Sequence, residues 1–491
     1  MIREKFHRLD LAKFILCRSF YFMVALLLFE SVLTAATTYL IIKAGRDVAN
    51  DDYLTADLIW ILVAQSSAYV IGAISWVFAE RAGFGAFGRY MQRFARDNRH
   101  QTKLLHEKGT REVVEPFLTG ETFHIFFQLV YELEADLKLL FHLVLNSIVL
   151  GSEIDTSFPV AYGAVFVALV AMQIAARKPV ARAYLENQRQ TNRMTAQGYT
   201  AWDNVFSGNR YNLRLWLAGF KVRLRDALRA QIWAIMTREG LSTASGIIAL
   251  AVIFATMVMV AIRNAGDTEV LVMLAATLPR QIEMTRDLYT LASGWNDMVA
   301  IWVRMGGVVD NMRPDPDVAY DRRIKYDRLV LREGDRSNVV GSLDEALKLV
   351  YSRPNGRIYV RGGNGSGKSS LLAALKATIK NRAYYWPTTD RLAFQFAEGI
   401  EPEGVDESID PALLAEAGEV ETRPKKKVGF SSGERQLQSL QEIVRHTEAS
   451  IYLFDEWDAN LDPRNRAVAD ALVEQLAQHA RVVEISHRDI A

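Results

Sequence analysis

Residues 357–380 read RIYVRGGNGSGKSSLLAALKATIK. The stretch opens on a short apolar run, RIYV at 357–360, that suits a buried strand. It continues as Gly362-Gly363-Asn364-Gly365-Ser366-Gly367-Lys368-Ser369, which fits G-x-x-x-x-G-K-[ST]. From Ser370 to Lys380 the pattern predicts a helix. A strand, a glycine loop and a helix in this order can cradle phosphate. Glycines let successive backbone N–H groups turn inward onto phosphate oxygens, and the helix N-terminus adds partial positive charge. Lys368 is placed to reach the β- and γ-phosphates of a nucleotide, and the Ser369 hydroxyl to ligate its Mg²⁺. The expected ligands are therefore ATP and Mg²⁺, with the cradle running from Gly362 through Ser370.

Downstream, Ile451-Tyr452-Leu453-Phe454-Asp455-Glu456 is an apolar strand ending in two acids. Paired with the glycine loop, Asp455 is expected in the Mg²⁺ shell. Glu456 is then expected to polarise the attacking water as the catalytic base. Between the loop and this strand lies Phe430-Ser431-Ser432-Gly433-Glu434-Arg435-Gln436, leading into the helical pattern LQSLQEIVRH. Ser431, Ser432 and Gly433 at a helix N-terminus read either as a second anion site or as a helix cap with Glu434 in the first turn. Ala459-Asn460-Leu461-Asp462 follows the acidic strand, and Val482-Val483-Glu484-Ile485-Ser486-His487-Arg488 is a strand running into a histidine.

The chain upstream of this region is of another kind. Of 491 residues half are hydrophobic and 23% charged, and the net charge is +1. That composition excludes a disordered chain and gives no bulk positive charge for nucleic acid. The single cysteine, Cys17, excludes a disulfide framework or a cysteine-rich metal site. The apolar runs crowd into the first 300 residues. Leu58–Ala79, Phe158–Ala176 and Ser245–Ile262 carry no charge, and Ser19–Ile42 carries only Glu30. Each is long enough to cross about 30 Å of hydrocarbon. Leu137–Leu150 and Val270–Leu278 add two weaker spans, so hydropathy predicts six. The first run is too long for a cleaved signal peptide and is expected to remain in the mature chain.

Segments 80–136 and 177–244 contain 8 and 12 Lys and Arg, and the N-terminus adds Arg3, Lys5, Arg8, Lys13 and Arg18. Cations stay on the cytoplasmic side. The expected location is the cell (inner) membrane, multi-pass, with the N-terminus and the C-terminal half in the cytoplasm. The two long segments have helical periodicity, with breaks at Thr119-Gly120 and Ser207-Gly208-Asn209. A boundary falls at Asn311–Asp317, whose prolines stop a helix. Residues 1–312 are thus expected to form a transmembrane domain, 313–323 a linker and 324–491 a nucleotide-binding domain. Polar groups within the apolar part mark candidate functional surfaces: Glu30, His142, Asn146, Arg280, Glu283 and Arg286.

With the glycine loop, the Asp455-Glu456 strand, Ser431-Ser432-Gly433, Ala459–Asp462 and His487 in this order, the chain resembles an ABC exporter half-transporter. The resemblance points to the bacterial peptide or microcin type. It implies a six-helix membrane domain followed by an abbreviated α/β P-loop ATPase domain of ABC type. Two copies would act as a homodimer, or as paired half-transporters, with ATP sandwiched between one glycine loop and the other copy's Ser431-Ser432-Gly433. It also implies His487 as a switch histidine beside Glu456, coupling helices near 119–122 and 202–211, a small-molecule or peptide substrate, and a lipid bilayer but no nucleic acid as partner. The function implied is ATP-driven export; the alternative is a membrane-anchored ABC ATPase that gates or scaffolds a partner. The sequence departs from that pattern at Trp386-Pro387-Thr388, where the family shows Pro-Gln, with Gln395 as a substitute. Tyr326 and Tyr351 are the aromatic candidates for the adenine, and only residues 396–429 remain for the helical subdomain.

Overall fold

The computed structural model describes residues 7–50, 54–315, 320–388, 392–398 and 431–486. The chain divides into two compact units, Met1–Tyr90 with Phe117–Asp310 and Met91–Pro116 with Asn311–Ala491. Helices α1 to α9 span Arg8–Ile15, Arg18–Ala49, Thr55–Asn98, Lys108–Pro116, Thr122–Glu153, Ser157–Tyr199, Ala201–Phe206, Arg210–Arg263 and Thr268–Met312.

Four helical segments in the described residues are long and apolar enough to cross a membrane: Arg18–Ala49, Thr55–Asn98, Ser157–Phe206 and Arg210–Arg263. They make this a multi-pass membrane protein. The expectation of six membrane helices is corrected to four. Helices α5 and α9 have 32 and 45 residues, so length is not what disqualifies them. In α5 the uncharged stretch is only 139–152, preceded by Glu132, Glu134, Asp136 and Lys138. In α9 the uncharged stretch is 270–279, followed by Arg280, Glu283, Arg286 and Asp287. Runs this short suit helices packed inside a protein better than spans of about 20 residues, and the charges beside them are expensive in hydrocarbon.

The first unit is held by small residues and interhelical polar bonds. On α3 the buried positions include Ala68, Ser75, Ala79, Ala82 and Ala86, while Leu58, Ile59, Trp60 and Leu62 are exposed. Small residues let helix backbones approach closely where hydrocarbon removes the hydrophobic drive for association. Lys138 on α5 pairs with the buried Glu30 on α2 at 2.7 Å. Thr38 on α2 donates to Asn146 on α5, and Arg280 on α9 donates to Thr38 at 3.0 Å. Arg280 also pairs with Glu283 at 2.6 Å. Glu30, Asn146 and Arg280, singled out as polar groups in apolar sequence, therefore join three helices to one another.

The second unit is a mixed α/β domain. Strands β1 to β6 are Val330–Glu333, Arg336–Val339, Gly356–Arg361, Ala383–Trp386, Ile451–Asp455 and Arg481–Ile485. They form one sheet in the order β2-β1-β3-β6-β5-β4. β1 is antiparallel to both β2 and β3, while β3, β6, β5 and β4 run parallel. Helices α10 to α14 are Leu343–Tyr351, Lys368–Ile379, Gln395–Glu398, Ser432–His446 and Pro463–His479. β5 and β6 are buried at every residue, as expected of strands covered on both faces. One core cluster joins Leu371, Leu372 and Leu375 of α11 to Ile358, Leu453 and Val483 of the sheet. The other joins Leu440 and Ile443 of α13 to Phe454, Val473 and Val482.

The assignment of this unit as an ABC-type P-loop ATPase domain is also corrected, to a mixed α/β domain. Among the described residues four helices, not six, are long and apolar enough to form the membrane domain it was tied to. Most of the expected helical subdomain lies in 399–430, outside the described residues.

Candidate functional site

The glycine loop, 362–367, joins the end of β3 to the start of α11, and two of its glycines are required by geometry. Gly367 has φ +90°, and a Cβ there would lie 2.3 Å from the Arg323 carbonyl oxygen. A Cβ on Gly362 would lie 2.6 Å from the Arg328 carbonyl oxygen. A side chain would be strained by the backbone at Gly367 and sterically blocked at both positions. What presses on the loop is the segment 323–328, tied to it by the Lys325 N–H donating to the Ser366 carbonyl at 3.0 Å. Tyr326 is thereby half-buried in a segment that crosses the loop, whereas Tyr351 is exposed at the end of α10.

The Lys368 ammonium donates to the Gly362 carbonyl at 2.8 Å, so it rests on the rim of the loop. Asn364 and Gly365 are exposed. The Ser366 hydroxyl is buried with no hydrogen-bond partner. Ser370 lies two residues into the helix, its carbonyl accepting from Tyr320 at 3.4 Å.

Asp455, the last residue of β5, is 2% exposed. The Ser369 hydroxyl donates to its Oδ1 at 3.0 Å, and its Oδ2 is buried without a partner. Thr388, where the resemblance expected glutamine, donates its hydroxyl to the Asp455 backbone carbonyl at 3.2 Å. Burial pushes the Asp455 carboxyl up to about 6; the Ser369 bond opposes the shift and the neighbouring Glu456 charge adds to it. Glu456 has φ +50°, left-handed backbone that is costly for a residue with a side chain. Its N–H donates to the Ile485 carbonyl at 3.0 Å, which anchors this turn to β6.

A hydroxyl and a carboxylate, one of whose oxygens is buried and orphaned, are the oxygen donors a hard cation takes. Among the described residues no group of three or more His, Cys, Asp or Glu side chains is gathered to hold a metal. Ser369 and Asp455 alone would hold Mg²⁺ by part of its shell, which suits an ion that arrives on phosphate oxygens and keeps waters.

Ser431 is the N-cap of α13. Its hydroxyl accepts the Glu434 N–H at 3.3 Å, and its own N–H donates to Glu434 Oε2 at 2.8 Å, a reciprocal cap. Ser432 is exposed, and a Cβ on Gly433 would lie 2.9 Å from the Asn460 carbonyl oxygen. Ser431 and Gly433 are thus placed by their own helix turn and by 460–461. His487 lies outside the described residues; Ser486 before it is buried, its hydroxyl without a partner.

Two residues of this neighbourhood carry no motif. Tyr385 on β4 lies beside the Asp455 carboxylate, and burial with that charge raises its phenol well above the ordinary tyrosine range. The Tyr385 hydroxyl also meets His106 Nε2 at 2.8 Å. His106 ends a 3-10 turn, Thr102–His106, in the part of the first long loop that belongs to the second unit. Thr102 donates to the Ala373 carbonyl on α11 at 2.7 Å, and Lys103 pairs with Asp321 at 2.9 Å. The break at 119–120 lies in the π-helical turn Phe117–Glu121 of the first unit instead. Nothing in sequence spacing could have linked residue 106 to residue 385.

No protein-family model matches the chain, and no curated protein matches it. With four membrane-crossing helices in place of six, the resemblance to an ABC exporter half-transporter of the peptide or microcin type is therefore overturned as an identification.

Proposed function

We propose that this chain is a membrane-embedded ATPase that uses hydrolysis in the α/β unit to drive movement of a small-molecule or peptide cargo by the membrane unit. The observation that carries the reading is the convergence of two stretches far apart in sequence. The glycine loop with Lys368, the Ser369 hydroxyl, and the buried Asp455 with its unpartnered oxygen meet at the ends of adjoining elements. Loop N–H groups and the α11 N-terminus bind and orient the phosphates, and Lys368 swings from the Gly362 carbonyl to the β- and γ-oxygens. Ser369 and Asp455 would hold Mg²⁺, which when bound neutralises charge building on the transferred phosphoryl group. Glu456, turned out of the strand by its left-handed backbone, orients the attacking water.

Coupling is supported by the chain's path: α3, a membrane-crossing helix, runs directly into residues 91–116 of the α/β unit. The cations of the N-terminus and of 80–136, which lie on the α/β unit's side of four crossings, support a cytoplasmic α/β unit in the cell membrane. Leu215, Leu228 and Trp233, exposed on α8, support the pairing of two chains.

Lys368→Ala tests the reading. It removes the cation that rests on the rim of the glycine loop, so ATP affinity of the purified protein falls at least about tenfold, or about 1.4 kcal/mol. Unchanged ATP binding by this variant excludes the site.

A further inference from the structure

His106 and Asp455 are joined through one tyrosine. His106 Nε2 stands 2.8 Å from the Tyr385 hydroxyl, and Tyr385, paired with Leu453 of β5, shares one face of the sheet with Asp455 two residues further on. Tyr385 and Asp455 are both buried. The turn carrying His106 is itself pinned: Thr102, four residues earlier, bonds the Ala373 carbonyl on α11, and Lys103 pairs with Asp321. Ser369, one residue into the same α11, holds Asp455 Oδ1 at 3.0 Å. The carboxylate is therefore gripped by Ser369 and flanked by Tyr385, while Oδ2 keeps no hydrogen bond. A tyrosine hydroxyl has one proton. Given to the carboxylate, it leaves the phenolic oxygen free to accept the Nε2–H of a histidine. Burial, with Arg323 nearby, holds the His106 pKa below its ordinary value, so the ring is neutral at pH 7 and carries a single N–H.

We propose that His106 is a positioning residue for the metal carboxylate. Acting through Tyr385, it fixes Asp455 so that Oδ2 stays open to the Mg²⁺ of a bound nucleotide. This rests on the reading of Asp455 as a metal ligand given above. Its consequence is that the segment continuing from membrane helix α3 sets metal affinity at the nucleotide site. A hydroxyl already beside a carboxylate needs no second partner to satisfy its proton. The histidine's contribution is to fix which way that proton points.

The test measures binding of a fluorescent ATP analogue to the purified full-length protein in lipid nanodiscs, once in Mg²⁺ and once in EDTA. The gain in affinity due to Mg²⁺ is the readout. In Tyr385→Phe and His106→Phe this gain shrinks by about tenfold, the scale on which partners of metal ligands act, while affinity in EDTA stays unchanged. His106→Gln, whose amide nitrogen reaches the Nε2 position, keeps the gain. His106→Asn, polar but too short, loses it, and this pair decides the matter even if the phenylalanine variant fails to fold. Tyr385→Phe with His106→Phe loses no more than either alone, because both act through one hydroxyl. A full Mg²⁺ gain in Tyr385→Phe or in His106→Asn overturns the proposal, as do losses that multiply in the double variant. A wild-type protein that binds the analogue equally with and without Mg²⁺ overturns the reading of Asp455 itself, and the role of His106 with it.

Discussion

On α3 of the first unit, Leu58, Ile59, Trp60 and Leu62 face outward and the buried positions include Ala68, Ser75, Ala79 and Ala82. On β5 of the second unit every residue from Ile451 to Asp455 is buried, and large aliphatic and aromatic side chains fill the inside. The two surfaces answer to different solvents. In water, apolar area is driven inward at roughly 25 cal/mol per Å². In hydrocarbon that drive is missing, so large apolar groups stay outside and small ones mediate contact. Polar groups change meaning with the solvent. Glu30–Lys138 and Thr38–Asn146 join helices in the first unit. In the second, Lys368, Ser369 and Asp455 gather at element ends with capacity left over.

If that contrast is right, substitutions in the two units fail in different ways. The largest effect is expected at Glu456. Glu456→Gln lowers ATP turnover by at least about a hundredfold, the lower bound for a residue that activates water. ATP binding and the thermal unfolding of the protein in detergent remain as in the wild type. Turnover at the wild-type rate would mean that Glu456 has no part in the chemistry, and the polar contrast would weaken at that position.

The next effect belongs to the membrane unit. Ala68→Leu forces a large side chain into the small-residue face of α3 and costs about 1–3 kcal/mol, read as a lower unfolding midpoint in nanodiscs. Leu62→Ala, on the outward face of the same helix, changes that midpoint by no more than about 0.5 kcal/mol. Equal losses at the two positions would break the assignment of an outward hydrocarbon face.

The smallest effect is expected at Ser431, which the structure places as a cap. Ser431→Ala costs about 1 kcal/mol of stability in the α/β unit. Ser431's backbone and side chain hold the Glu434 carboxyl below its ordinary value of 4.5. A group with a lowered folded-state pKa contributes above that value, and the contribution fades as pH falls below it. The difference between wild type and Ser431→Ala is therefore full at pH 7 and shrinks toward pH 3. A difference that does not vary with pH would detach the Ser431 hydroxyl from the Glu434 carboxyl.

The chain's local patterns were legible to the extent that they depend on neighbours in sequence. Gly362 to Ser369 announced a tight loop between a strand and a helix, and both flank it in the structure. The two acids after an apolar run marked the end of β5, because an uninterrupted run of buried residues can end only where the strand meets solvent or a site. The four uncharged or nearly uncharged runs reappear within the four membrane-crossing helices. The weaker two did not qualify, since 10 to 14 apolar residues do not distinguish a span from a buried helix until neighbouring charges are weighed.

What sequence alone determined is therefore the division into an apolar helical part and an α/β part, together with the loop chemistry that periodicity and glycine spacing dictate within about ten residues. What only the tertiary structure decided is which distant groups meet. It placed 91–116 in the α/β unit, His106 on Tyr385, Thr388 on the carbonyl of Asp455, and Glu30 on Lys138. The physical reason is range. Backbone preference and amphipathic period act over a few residues, whereas a hydrogen bond between residues 106 and 385 exists only after a sheet and a helix have packed and excluded water from both partners.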